Sequence, residues 1–210
     1  MEKTQGQILQ EQLTWKFPNI AKEAPEQKEE ANVFCEGYKT FLDKGKTERE
    51  CVKEAVAMLE AAGYKVFEPG KKYEAGDKVY EVNRNKALLA TTFGTESIGK
   101  GLRLNGAHID SPRLDLKPNP VYEKGEIAYF KTHYYGGIRK YQWATIPLAI
   151  HGVIIKKNGE IVELNLGENE GDPVFCVSDL LPHLAGEQSQ RLLKDGIKGE
   201  ELNVLIGSVP

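Results

Sequence analysis

Apolar positions recur along the first third of the chain at helical spacing. From Gln27 to Lys44, the residues Val33, Phe34, Tyr38, Phe41 and Leu42 fall on one side of an amphipathic helix, which Gly45 closes. A second stripe follows in "KTERECVKEAVAMLEAAGYKVF", with Val52, Val56 and Leu59 on its apolar face. Thr47 and Glu50 have the spacing of a capping box, in which side chains satisfy the free N–H groups of the first turn. Gly63 supplies the left-handed residue that ends this helix. Residues 1–25 show no such period and are expected to be irregular, with Trp15 and Phe17 anchoring the arm ahead of Pro18.

The period then changes to two. "YKVF" begins a strand, and "GDKVYEVNRNKALLATTFG" reads as a hairpin turning at Asn83-Arg84-Asn85. "GLRLNGAHID" is the next expected strand, stopped by Pro112. After Pro118 the texture becomes β-rich, in "VYEKGEIAYFKTHYY", "ATIPLAIHGVIIKKNGEIVELNL" and "NVLIGSV". "KKNGE" is an Asn-Gly hairpin turn. One helix is expected among these strands, from Ser178 to Lys194, capped by Ser178 or Asp179 and with Pro182 in its first turn. Helices followed by strands predict an α/β layer arrangement. The change of texture divides the chain into an α/β part, residues 1–117, and a β-rich part, residues 118–210. The chain stops inside the apolar run "LNVLIGSVP", which predicts truncation of a longer chain, because an open strand edge is left uncovered.

Composition narrows the classes. The 210 residues carry a net charge of −3, and no Lys/Arg-rich run marks a nucleic-acid partner. No apolar run reaches the roughly 18 residues of a membrane span, and the polar start lacks a leader's apolar core. Neither nucleic acid nor membrane is therefore expected as a partner. Cys35, Cys51 and Cys176 are odd in number and form no C-x-x-C pair. They are expected to be small buried residues in a reducing cytoplasm.

The candidate chemistry lies in "NGAHIDSPRLDLKP". On a strand His108 and Asp110 share a face. A carboxylate accepting from one ring nitrogen fixes the tautomer and frees the other nitrogen for a metal. Strand ends are where open α/β sheets gather their sites. The alternative is a surface or half-buried histidine paired with a neighbouring carboxylate. One histidine cannot hold a catalytic zinc, which takes about three protein ligands. The others are His133, His151 and His183, and no H-x-H or H-x-x-x-H spacing joins them. A mononuclear site using His133 or His151 stays open. The pairs Glu29-Glu30 and Glu200-Glu201 sit in polar settings and read as solvated surface.

Together, "GAHIDSPRLDLKPNPVYE", "THYYGGIRKYQW", "IPLAIHGVIIKKNG" and "DPVFCVSDLLPHLAGEQ" resemble the zinc aminopeptidases of the aspartyl aminopeptidase and vacuolar aminopeptidase I family, the bacterial branch most closely. The resemblance implies the N-terminal part of a zinc-exopeptidase α/β catalytic domain followed by a β-rich oligomerisation domain. It also implies two zinc ions, peptide substrates and a homo-oligomer. By resemblance His108 is the first zinc ligand and Asp110 the carboxylate that orients it. His183, in "LLPHLA", matches a histidine that reaches a neighbouring subunit's active site and contacts substrate. A helix-surface histidine is the alternative for His183. The family's remaining ligands and its glutamate base have no counterpart in these 210 residues. A rival reading is therefore a catalytically inactive oligomerisation or regulatory module.

Overall fold

A computed structural model of the chain describes residues 3–15 and 17–208, with the backbone alone at Ile20. It separates into two compact units, residues 1–44 and 45–210.

The first unit is helical. α1 (Gln5–Leu13) begins at a full capping box. Thr4 Oγ1 accepts from the Gln7 N–H, and the Gln7 side chain accepts from the Thr4 N–H. This corrects the expectation of an irregular arm, because a capping box with helix formers behind it outweighs the lack of a clean apolar stripe. A short α2 (Ile20–Glu23) and a 3₁₀ turn (Pro25–Gln27) lead into α3 (Lys28–Lys44), within one residue of its expected start. The α3 stripe is present but open to solvent at Val33, Phe34, Tyr38 and Leu42. Trp15 and Phe17 are exposed too, so neither anchors the arm here. Cys35 is likewise exposed, against expectation, on a helix none of whose described residues is buried; Cys51 is buried and Cys176 half-buried.

The second unit opens with α4 (Glu48–Ala61), capped by Thr47, whose Oγ1 accepts from the Glu50 N–H at 3.3 Å. Only this arm of the expected capping box forms. The Thr47 hydroxyl donates to Glu50 Oε2 at 2.9 Å, and Glu50 Oε1 is drawn to His151. Cys51 and Val52 are the buried positions of the helix. β1 (Lys65–Val66) lies parallel to β2 (Lys78–Asn83), which pairs antiparallel with β3 (Ala87–Thr92). The hairpin turns where expected. Arg84 and Asn85 both have positive φ, the geometry that matches the twist of the flanking strands. The Tyr80 hydroxyl donates to Glu60 Oε1 at 2.6 Å and ties this sheet to α4.

The second sheet has the order β4-β5-β9-β8, built from β4 (Arg113–Lys124), β5 (Ile127–Tyr135), β8 (Cys176–Val177) and β9 (Val204–Gly207). β6 (Ile150–Ile155) and β7 (Ile161–Leu166) form a separate hairpin that turns through Gly159 in the left-handed region. Bridges from Ala144 to Val177 and from Leu148 to Phe175 stitch the approach to β6 onto β8 and the residue before it. The core lies here. Val177 and Leu202 are essentially inaccessible, packed with Ala144, Phe175, Ile197 and Val204, and Trp143 lies against them. The buried Thr132 hydroxyl donates to the Leu202 carbonyl.

Two expected elements do not form. "GLRLNGAHID" has no strand, and Leu102 and Leu104 stand exposed. Its alternation suits a strand, but a strand exists only with a ladder partner, and no described segment pairs with it. Pro112 therefore does not end a strand; it directly precedes β4, a position where a missing N–H costs no ladder bond. β4 keeps its own prolines, Pro118 and Pro120, where its register with β5 slips between Leu116 and Val121. The helix expected over 178–194 is replaced by turns and short 3₁₀ segments. Leu180, Leu181, Leu184, Leu192 and Leu193 are exposed, so no buried face drives helix formation.

Candidate functional site

His108 lies in the extended stretch between the 3₁₀ turn Ile98–Lys100 and β4. It is close to Asp110 without the strand that was expected to align them. Its Nδ1 is 2.9 Å from the Asp110 backbone carbonyl and 3.1 Å from Asp110 Oδ1. Both contacts are acceptors, so Nδ1 carries the proton and donates, which leaves the Nε2 lone pair outward. The His108 side chain is 82 % exposed. That suits a ligand that must present a nitrogen to an incoming ion.

The second carboxylate oxygen has its own partner. Asp110 Oδ2 accepts from the Tyr135 hydroxyl at 2.7 Å. This bond first, then the backbone N–H of Asp110 and the His108 ring, hold the Asp110 carboxyl below its ordinary range. Donating to that carboxylate pushes the Tyr135 phenol upward. Tyr135 is the last residue of β5 and stands opposite Arg113, the first of β4. The Arg113 guanidinium lies 4.3 Å from the centre of the Tyr135 ring. Arg113 Nε donates to Asp115 Oδ1 at 2.7 Å, and its Nη1 is 3.0 Å from Glu48 Oε1 in the first turn of α4. One run of contacts thus leads from α4 through Arg113, Tyr135 and Asp110 to the His108 ring. Reading the sequence missed Tyr135 and Arg113. They lie 25 and 3 residues from Asp110, and only strand register brings them together.

The other histidines stand apart from this site. His133 is exposed and stacks on Tyr134 with ring centres 5.7 Å apart. His183 is exposed in the turn-rich segment that replaced the expected helix. His151 is almost buried, with Nδ1 2.8 Å from Glu50 Oε1. Glu168 Oε1 is 3.1 Å from its Nε2, yet Nε2 has no aligned hydrogen bond, so that contact is electrostatic. No group of three His, Cys, Asp or Glu side chains suited to a metal ion occurs among the described residues. The residues present therefore fit one ligand of a zinc site, His108 with its orienting carboxylate, and not a complete set. Glu29 and Glu30 are exposed in the first turn of α3, as expected. Glu200 and Glu201 are exposed as well, as expected, with Glu200 pairing with Lys117 and Glu201 receiving Arg191 and the Lys198 N–H. A groove of about 480 Å³ runs beside Glu48, Arg113, His151 and Glu168 over Trp143 and Phe175. Neither His108 nor Asp110 lines it.

Comparison with known proteins places these motifs in context. The family model described as aminopeptidase I zinc metalloprotease (M18) matches residues 41–208. A probable M18 family aminopeptidase 1 of Clostridium acetobutylicum is 53 % identical over 184 residues, 85 % of this chain and 40 % of that protein. A crystal structure of an M18 family aminopeptidase from Thermotoga maritima superposes with a TM-score of 0.86 at 43 % identity, covering 94 % of this chain and 43 % of that one. A yeast mApe1 dodecamer shares the fold at 21 % identity, with a TM-score of 0.62 over 82 % of this chain and 38 % of that one. The chain thus spans about 40 % of the length of the curated relatives it matches.

Proposed function

Because the chain belongs to the aminopeptidase I zinc metalloprotease family (M18), we propose that it contributes to a zinc aminopeptidase that removes N-terminal residues from peptides. The observation that carries this reading is the His108–Asp110 pair, with Nδ1 held by acceptors and the rest of the ring open to solvent. In this reading His108 is a metal ligand through Nε2, and Asp110 fixes its tautomer and ring orientation. A pair of zinc ions, when bound, would polarise the scissile carbonyl and lower the pKa of the attacking water. His108 supplies one ligand in this reading, and the described residues hold no cluster of three ligand side chains that would complete the site. In this reading His183, exposed in its turn, contacts substrate in a neighbouring subunit. A homo-oligomer is supported by the dodecameric mApe1 of the same fold. Residues 1–117 form the catalytic part and 118–210 the oligomerisation part, with β4 crossing that boundary. The cysteine pattern, odd in number and without a C-x-x-C pair, supports a reducing cytoplasm as the compartment. Separately, no described helix is long and apolar enough to cross a membrane.

The test grafts residues 41–208 into the Clostridium relative in place of the matched segment. With zinc, the graft is expected to release N-terminal amino acids from short peptides, and His108→Ala is expected to abolish release. A folded, zinc-replete graft without activity would overturn the proposal, as would full activity in His108→Ala. The inactive-module reading has one observation in its favour, the lack of three clustered ligand side chains among the described residues. A folded 210-residue assembly that binds no zinc at His108 would favour it.

A further inference from the structure

The stretch that carries His108 belongs to no described ladder, and the Asp110 side chain that meets the ring is bonded in turn to Tyr135 on β5. We propose that Tyr135 is a positioning residue for His108, acting through the Asp110 carboxylate. The inference rests on the reading of His108 as a metal ligand and extends it to a residue on β5.

The argument starts from Asp110. Its side chain is 34 % exposed, and a carboxylate in that setting turns freely about its last bond unless both oxygens are committed. Here they are. Oδ1 faces His108 Nδ1 at 3.1 Å, and Oδ2 accepts from the Tyr135 hydroxyl at 2.7 Å. The hydroxyl thereby selects the rotation that aims Oδ1 at the ring. The Asp110 backbone carbonyl, 2.9 Å from Nδ1, adds a second acceptor whose place is set by the main chain.

Tyr135 is itself held from behind. Its ring lies under the Arg113 guanidinium, which is clamped by Asp115 on the same strand and by Glu48 on α4. Arg113 and Tyr135 are register partners in the β4–β5 ladder. The orientation of a ring in an unladdered stretch is therefore set by a strand pair and the N-terminus of a helix. This gives the β-rich part of the chain a role behind the ligand, beyond any role in assembly.

The experiment uses the 210-residue chain labelled with ¹⁵N in its histidine rings. Long-range ¹H–¹⁵N spectra, taken where the rings are neutral, report the tautomer of each histidine. The wild-type His108 is expected to be mainly the Nδ1–H form. Tyr135→Phe removes only the hydroxyl and keeps the ring on Arg113. It is expected to raise the Nε2–H share of His108 several-fold, leaving His151 and His183 unchanged. Asp110→Asn should do the same, and the double variant should go no further, because both act through one carboxylate. Amide spectra of the β4–β5 ladder check that the strands persist.

A Tyr135→Phe tautomer ratio equal to wild type, alongside a shifted Asp110→Asn, would overturn the proposal. So would effects of the two substitutions that simply add. Zinc at millimolar concentration is then titrated in, with the His108 Nε2 resonance as the readout. The apparent affinity is expected to fall about 3–10-fold in Tyr135→Phe, less than the 10–100-fold typical of a partner in direct contact with a ligand. If zinc leaves His108 Nε2 unmoved in the wild type, the ligand assignment fails, and the tautomer measurements still judge Tyr135 separately.

Discussion

Leu202→Ala should be the most damaging single truncation among the candidate core leucines, although nothing in its local sequence marks it out. Leu202 sits at 0 % exposure between Val177, Ile197 and Val204. The substitution deletes three carbons, worth about 2.4 kcal/mol at about 0.8 kcal/mol per buried methylene. If about half of a roughly 75 Å³ void persists, it adds about 0.9 kcal/mol at about 24 cal/mol per Å³. The total is about 3 kcal/mol, a large share of the ~5–15 kcal/mol that holds a typical domain together. Urea unfolding followed by Trp143 fluorescence reads this directly, because Trp143 packs against the same core while Trp15 is exposed. With a slope of about 2 kcal/mol per molar urea, the midpoint should fall by about 1.5 M. Leu102→Ala is the matched control. Leu102 is 64 % exposed, so its truncation should change stability by no more than about 0.5 kcal/mol. A loss below about 1 kcal/mol for Leu202→Ala, or an equal loss for Leu102→Ala, would refute this placement of the core.

Two further outcomes are expected. A double-mutant cycle on Glu50 and His151 should give a coupling of about 1–2 kcal/mol in urea unfolding. That lies between the ~0.2–1 kcal/mol of exposed pairs and the ~1.5–3 kcal/mol of buried charged hydrogen bonds, because His151 is 10 % exposed but Glu50 is 26 % exposed. A coupling near zero would mean that the α4 N-terminus and β6 are not joined by this contact. Asp172 accepts from the Asn169 and Gly167 N–H groups and the Asn169 side chain, and these bonds, the Asn169 backbone first, hold its carboxyl below the ordinary value. A lowered folded-state pKa contributes stability above the unfolded value of about 3.9, and that contribution is lost as pH falls through the folded value. Asp172→Asn should therefore lower the urea midpoint at pH 7, and the gap should close as pH drops below about 4; a gap that is independent of pH would contradict the assignment.

The two long helices and two of the hairpins, β2–β3 and β6–β7, were legible in the chain itself. Thr47, Gly63, the turn at Asn83-Arg84-Asn85 and the Asn-Gly turn before β7 are local devices whose physics acts within a few residues. The nearness of His108 to Asp110 was also legible, because a separation of two residues allows the contact in an extended stretch whether or not a ladder forms. The first helix, which periodicity missed, was equally local, since Thr4 and Gln7 form its capping box.

Tertiary structure decided the rest. Apolar alternation in "GLRLNGAHID" and the leucines of 178–194 predicted elements that do not form: no described strand pairs with the first, and the leucines of the second stand exposed without a face to pack against. Leu202 became core through strands that meet around it. Glu50 left its capping role for a histidine 101 residues away. Tyr135 reached Asp110 only because β5 pairs with β4 in one register. A strand's register is set by non-local hydrogen bonds, so no spacing along the chain could disclose that the ring of His108 is steadied from a strand pair to which it does not belong.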